Sequence, residues 1–343
     1  MVSLAKVRVV AVSDFQVRAA AAIQALQDWY LPRTGLWKST GWWNAANALT
    51  AVIGYARHTG DDRHAQVVAT TFRLARRRHP DFVNMFFDDN GWWGLAWVAA
   101  YDLTGESQYL DAARVIFARN LAGWDDVCGG GMWWTTKRTY KNAITNELFI
   151  TLAAQLHDRT PGDQEYLSWA LRGWEWLTGR ALIGANGLVN DGLRADCANN
   201  GGTAWTYNQG VILGGLATLY DITGDRDYLR HGEFIADAAL AGLTDADGIL
   251  TEPCELTADG CNGDATQFKG IFARYLHEFY QRSGKRAYRA FLLANADSAW
   301  DNARNSADQF GLRWGGPFDR ADASRQSSAL EVLTAAAALT SMA

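Results

Sequence analysis

The sequence lacks the marks of several large protein classes. Nowhere in the 343 residues does an apolar stretch approach the length of a membrane-spanning helix, so no membrane span is expected. Clusters of Lys and Arg are absent apart from Arg73 to His79, and the net charge is −5. Neutralising phosphates needs such clusters, so nucleic acid is not an expected partner, and the single basic run reads as the end of a helix. Neither a GxxxxGK motif nor GxGxxG occurs, which leaves nucleotide binding unsupported. The six histidines, His58, His64, His79, His157, His231 and His277, lie in or beside helical segments without ligand spacing. The start, MVSLAKVRVVAVSDFQ, lacks the apolar core and cleavage site of an export signal. Strand signals are few.

What is abundant is aromatic. Sixteen tryptophans occur, several in pairs: Trp42-Trp43, Trp92-Trp93 and Trp133-Trp134. A lone Trp most simply fills a core, with a partner for its N–H. Pairs set beside Gly and Asp suit a stacking surface for flat ligand faces such as sugar rings.

A short punctuation recurs: YARHTGDDRH at 55–64, YDLTGESQYL at 101–110, YDITGDRDYL at 220–229 and YQRSGKRAYR at 280–289, with LHDRTPGDQEYL at 156–167 as a longer variant. Each reads as a helix ending at a Gly turn and a new helix starting at a polar cap. Helices before the turn are apolar nearly all round, which means burial on every side. Those after it are amphipathic: Leu110, Ala113, Ile116 and Phe117 form one stripe while Asp111, Arg114 and Arg119 face away. Outer helices are expected near 14–30, 62–77, 106–120, 163–180, 226–240 and 285–304. Inner helices are expected near 44–58, 92–103, 141–157, 208–222, 266–282 and 325–340. Six inner helices ringed by six outer ones make an all-α (α/α)6 barrel, read here as one domain over 1–343.

The short inner-to-outer turns must then lie at one end and the long outer-to-inner loops at the other. Loops of that length usually carry function, and these are rich in Trp, Tyr, Asp and Asn, a mix suited to carbohydrate. Within them, Asp125-Asp126 sits between Trp124 and the run Gly129-Gly130-Gly131. Glycoside hydrolysis needs two carboxyl groups at the scissile bond, about 5–5.5 Å apart in retaining enzymes. Neighbouring residues can meet that spacing, and two close carboxylates keep one of them protonated. Asp125 and Asp126 are therefore the expected catalytic pair. Asp88-Asp89 and Asp264 precede inner helices, where capping and substrate contact are equally good readings. Trp42, Trp43, Trp124, Trp133, Trp134, Lys141, Asn142, Tyr207, Asn208 and Gln209 complete the expected substrate-binding set. The four cysteines, Cys128, Cys197, Cys254 and Cys261, allow three pairings; Cys254 and Cys261 are near enough in sequence to bridge.

The chain resembles glycoside hydrolase family 76, the bacterial and fungal endo-α-1,6-mannanases. The likeness runs through GWWNAANAL, FFDDNGWWGLAWVAAYDLTG, WDDVCGGGMWW with YKNAITNEL, WTYNQGVILGGL, DATQFKGIFARYL and FGLRWGGPF. It implies a retaining mechanism on α-mannan, with Asp125 as nucleophile, Asp126 as acid/base and Asp264 in the sugar site. It also implies no metal and no organic cofactor, and an extracellular or envelope location, against a cytoplasmic one if the chain is complete as given; a monomer is expected. Glu147 departs from the family, standing where a small residue is common. Rival readings are a sugar epimerase or a non-catalytic glycan-binding protein on the same ring. A terpene-type synthase has only FFDDN in its favour, and its chemistry requires Mg²⁺.

Overall fold

A computed structural model describes residues 13–341; most of the opening segment read for an export signal lies outside them. Twelve α-helices dominate the described residues. The outer set is α1 (Asp14–Gln27), α3 (Gln66–Ala75), α5 (Ser107–Asn120), α7 (Glu165–Gly179), α9 (Arg226–Gly242) and α11 (Arg286–Asn302). The inner set is α2 (Trp42–Thr59), α4 (Phe87–Thr104), α6 (Ala143–Asp158), α8 (Thr206–Thr223), α10 (Phe268–Ser283) and α12 (Ala323–Ser341). Each inner helix packs on the next, and α12 closes the circle on α2. The result is an (α/α)6 barrel.

The burial of each set follows its composition. In α12 every residue from Ala323 to Leu339 is buried, whereas α1 buries only Ala19, Ala22, Ile23, Ala25 and Leu26. At the closed end, α2, α4, α8 and α10 stop at Gly60, Gly105, Gly224 and Gly284, all left-handed with φ between 63° and 73°. Glycine takes that conformation without a Cβ clash; the next helix begins two residues after Gly105, Gly224 and Gly284, and six after Gly60. The sulfur pairing left open by sequence is Cys128–Cys197 and Cys254–Cys261. The first ties together two of the long loops; the second closes a small loop just before α10.

Candidate active site

The long loops enclose a cavity of about 510 Å³ at the open end. Aromatic rings form much of its wall: Trp43 stacks on Trp92 at 5.6 Å between centroids, Trp92 on Tyr207 at 6.3 Å, and Tyr207 on Phe268 at 3.7 Å. Four carboxylates share the wall, Asp88, Asp89, Asp191 and Asp264, and no Lys, Arg or His is among the lining residues. Flat rings with a one-signed set of acids suit a neutral polyhydroxy ligand that develops positive charge during reaction.

Asp88 and Asp89 stand in the first turn of α4. Asp88 Oδ2 accepts the indole N–H of Trp134 at 2.9 Å, and its Oδ1 is buried without a partner. Asp89 Oδ2 accepts from the Asn84 side-chain amide at 2.6 Å. Burial, then the charge of Asp89, pushes the Asp88 carboxyl well above the usual range, against the Trp134 bond. Burial also pushes Asp89 up, opposed by Asn84 and helped by the charge of Asp264. Two acids this close titrate as a unit, and near neutral pH the pair retains a proton. Asp264 Oδ1 accepts the Trp43 indole N–H at 2.9 Å. Asp191 is bonded by the Tyr140 hydroxyl, and burial raises its carboxyl too.

The other adjacent pair is differently placed. Neither Asp125 nor Asp126 lines the cavity. Asp125 Oδ1 accepts from Lys141 Nζ at 2.9 Å and from the Val127 N–H at 3.1 Å, and Oδ2 accepts from Trp133 Nε1 at 2.7 Å. Burial would raise this carboxyl, but the bonds from Trp133 and Lys141 outweigh it and hold the group ionised. Asp126 is 95% exposed, with Arg172 at 3.7 Å. The physical reason for the difference is Lys141. Its ammonium, 1% exposed, also donates to the carbonyls of Val127, Gly130 and Gly131 at 2.7–2.8 Å. It thereby folds the Asp-Asp-Gly segment into a closed knot. Gly131, at φ 87°, lets that knot pass Trp176, where a Cβ would come within 2.3 Å of the indole.

Of the expected substrate-binding residues, Trp43, Asp88, Asp89, Trp134, Asn142, Tyr207 and Asp264 do meet in the cavity wall. The other expected residues do not line it. Trp42 is buried against Trp93 and His79. Trp124 packs on Phe149 and Trp169, and Trp133 lies over Lys141 while holding Asp125. Gln209 is fully buried and bonds both the N–H and the carbonyl of Val189, at 2.8 and 2.9 Å, pinning a loop to α8. Asn208 is also fully buried, without a side-chain partner. Glu147, on α6, is fully buried with neither carboxyl oxygen bonded, and burial pushes it far above the usual range.

Several wall residues were not singled out from sequence. Trp92 was named only as one of the paired tryptophans and not in the binding set, although it lies one helical turn beyond Asp88 on the same face of α4. Asp191, Tyr140, Trp205 and Asn262 had none: each is one polar or aromatic residue in a loop full of them.

The chain matches glycosyl hydrolase family 76 over residues 16–343. It is 30% identical to the mannan endo-1,6-alpha-mannosidase DCW1 of Saccharomyces cerevisiae over 327 residues, which span 87% of this chain and 72% of that protein. It spans 58% of a putative mannan endo-1,6-alpha-mannosidase of Schizosaccharomyces pombe, at 31% identity over 68% of this chain. Among solved structures, the GH76A alpha-1,6-mannanase of Salegentibacter superposes with a TM-score of 0.87 at 29% identity, covering 95% of this chain and all of that one. An inactive variant of that enzyme, with two consecutive aspartates changed to asparagine, is known in complex with alpha-1,6-mannotriose (TM-score 0.86, 27% identity, the same coverage of both chains). This chain belongs to glycosyl hydrolase family 76.

Proposed function

We propose that the protein hydrolyses α-1,6-mannosidic bonds within a mannan, with retention, and that Asp88 and Asp89 are its catalytic pair. The observation that carries this is the position of the pair. The sequence holds three Asp-Asp steps, Asp61-Asp62, Asp88-Asp89 and Asp125-Asp126, and only the second lies in the cavity. Asp61 is occupied at the closed end by Arg63 and the Tyr55 hydroxyl. The Salegentibacter variant, inactive after loss of two consecutive aspartates, supports a chemistry that depends on such a pair.

In this mechanism the ionised carboxylate attacks the anomeric carbon of the mannosyl unit. The protonated partner gives its proton to the departing O6 as the C1–O6 bond breaks, leaving a covalent glycosyl ester. The partner, now ionised, takes a proton from water, whose oxygen attacks C1 and frees the carboxylate. Trp43, Trp92 and Tyr207 supply faces for neighbouring mannose rings, and the uncompensated acids favour the positive charge of the transition state. The test is product analysis on linear α-1,6-mannan with NMR of the first-formed anomer. Short oligosaccharides released as the α-anomer support the reading; a β-anomer overturns the retaining step, and no release overturns the hydrolase.

A further inference from the structure

The Asp125 carboxylate lies outside the cleft, yet three donors converge on it. Two are accounted for locally: the Val127 N–H closes a turn, and Lys141 ties Asp125 to the glycine run. The third, the Trp133 indole N–H at 2.7 Å, serves neither. Its consequence lies one residue further along the chain.

Trp133 and Trp134 are consecutive but anchored to different elements. Trp133 donates its main-chain N–H to the Gly123 carbonyl at 2.8 Å and its indole N–H to Asp125, and Lys141 Nζ lies 4.7 Å from its ring centroid. The Trp134 carbonyl instead accepts the Phe87 N–H at 2.9 Å, and the Trp134 indole N–H reaches Asp88 Oδ2 at 2.9 Å. Phe87 is the first residue of α4, whose N-cap Phe86 makes no side-chain cap bond. One of the unpaired N–H groups of that helix end is therefore satisfied by the Trp134 main chain, directly beside Asp88. The Trp134 ring meets Phe86 and Tyr140 but stays 37% exposed at the rim. Its own packing holds it less firmly than its half-buried neighbour Trp133 is held.

We propose that Asp125 is a positioning residue for the reaction: by holding the Trp133 indole it fixes the main chain from which Trp134 delivers its N–H to Asp88. The inference rests on the reading of Asp88-Asp89 as the catalytic pair. The titratable groups that share the cavity with Asp88 are Asp89 on its own helix, Tyr207 on α8, and Tyr140, Asp191 and Asp264 on the loops, with no Lys, Arg or His. Trp133→Phe alters none of these and keeps a ring beside Lys141, so a changed Asp88 titration in that variant reports the indole relay. Asp125→Asn has one oxygen where the carboxylate has two, and cannot serve Lys141 and Trp133 at their present places.

The test takes two readouts on Trp133→Phe and Asp125→Asn. One is the pH dependence of kcat and KM on linear α-1,6-mannan. The other needs no turnover: the pH titration of the ¹⁵N-labelled Trp134 indole resonance, assigned by Trp134→Phe, which in the parent follows the ionisation of Asp88. Both variants should lose most of that titration. Their alkaline limb in kcat should rise by about 0.5 pH unit or more, in the same direction as in Trp134→Phe, with KM little changed. Trp133→Phe combined with Trp134→Phe should shift the limb no further than Trp134→Phe alone. A lowered unfolding midpoint with limb and resonance unmoved would reduce Asp125 to structural support and overturn the proposal, as would additive shifts in the double variant. A parent that releases no product overturns the hydrolase reading instead, and the resonance tells that failure apart from a failure of the coupling.

Discussion

The indole N–H of Trp134 donates to Asp88 Oδ2 across 2.9 Å, joining the loop after the glycine run to the first turn of α4. That bond leaves the second oxygen of Asp88 with no partner in the cavity wall. It makes the two acidic loops interdependent: one holds the carboxyl that the other presents.

Replacing Trp134 by Phe keeps a ring at the rim but removes the donor. The bond lowers the Asp88 pKa, so its loss should shift the alkaline limb of the activity profile to higher pH. Turnover near neutral pH should fall severalfold, since a positioned carboxyl becomes mobile. A pH–rate profile of kcat checks both.

Asp264→Asn removes a negative charge that raises Asp89. With that charge gone Asp89 binds its proton less tightly, and the acid limb of the bell-shaped profile should move to lower pH. The bond from Trp43 remains possible to the amide oxygen, so the fold should be unaffected. A profile that stays in place contradicts the coupling.

Lys141→Met should lower stability by about 2 kcal/mol, because it removes the buried ammonium shared by the half-buried Asp125 carboxylate and three carbonyls, two of them on buried glycines. Thermal unfolding measures this. Asp125→Asn should be milder, keeping an oxygen for Lys141, and Asp126→Asn should be close to neutral, since its side chain is 95% exposed.

Much of the fold could be read from the sequence because helices announce themselves by periodicity, and left-handed Gly caps mark where they stop. The twelve expected segments each correspond to a helix, with ends displaced by a few residues. The site was less legible. Asp88-Asp89 and Asp125-Asp126 have nearly the same neighbourhood along the chain, with aromatics and glycine close by. They are separated only by Lys141, which returns from sixteen residues away to enclose Asp125, and by the α4 axis, which carries Asp88 into the cavity. Both are relations of tertiary structure. The same holds for Trp42 and Trp43, adjacent in sequence and turned by α2 to the core and to the cleft.

Two buried acids predict how stability varies with pH. Glu252 is fully buried, accepts from the Thr206 N–H at 3.0 Å, and is pushed up to about 8, chiefly by burial. Glu147 is raised in the same sense by burial and then by Asp191. A carboxyl whose folded pKa exceeds its unfolded value contributes stability in full below the unfolded value, near 4.5. It loses that contribution as pH rises towards the folded one. Stability should therefore decline between about pH 4.5 and 8 on account of Glu252, by up to about 1.4 kcal/mol per pH unit, and Glu147 acts in the same direction. Glu252→Gln should flatten the decline in denaturant unfolding.

Cys128–Cys197 closes a separation of 69 residues and Cys254–Cys261 one of 7. In the chain-entropy account the first stabilises by about 4 kcal/mol and the second by about 2. Paired Ser substitutions should lower the unfolding midpoint in that order. The small loop leads into Asn262 and Asp264 of the cleft, so Cys254→Ser with Cys261→Ser should raise KM more than its effect on stability suggests.

The most direct measurement compares four variants on linear α-1,6-mannan: Asp88→Asn, Asp89→Asn, Asp125→Asn and Asp126→Asn. Loss of acid or nucleophile commonly costs about 10²–10⁴ in rate or more. Losses of that size are expected for the first two, with unfolding midpoints at or above that of the parent. Nearly full turnover is expected for Asp126→Asn. A protein inactive through Asp126→Asn but active with Asp88→Asn would contradict the assignment and return the chemistry to the exposed pair.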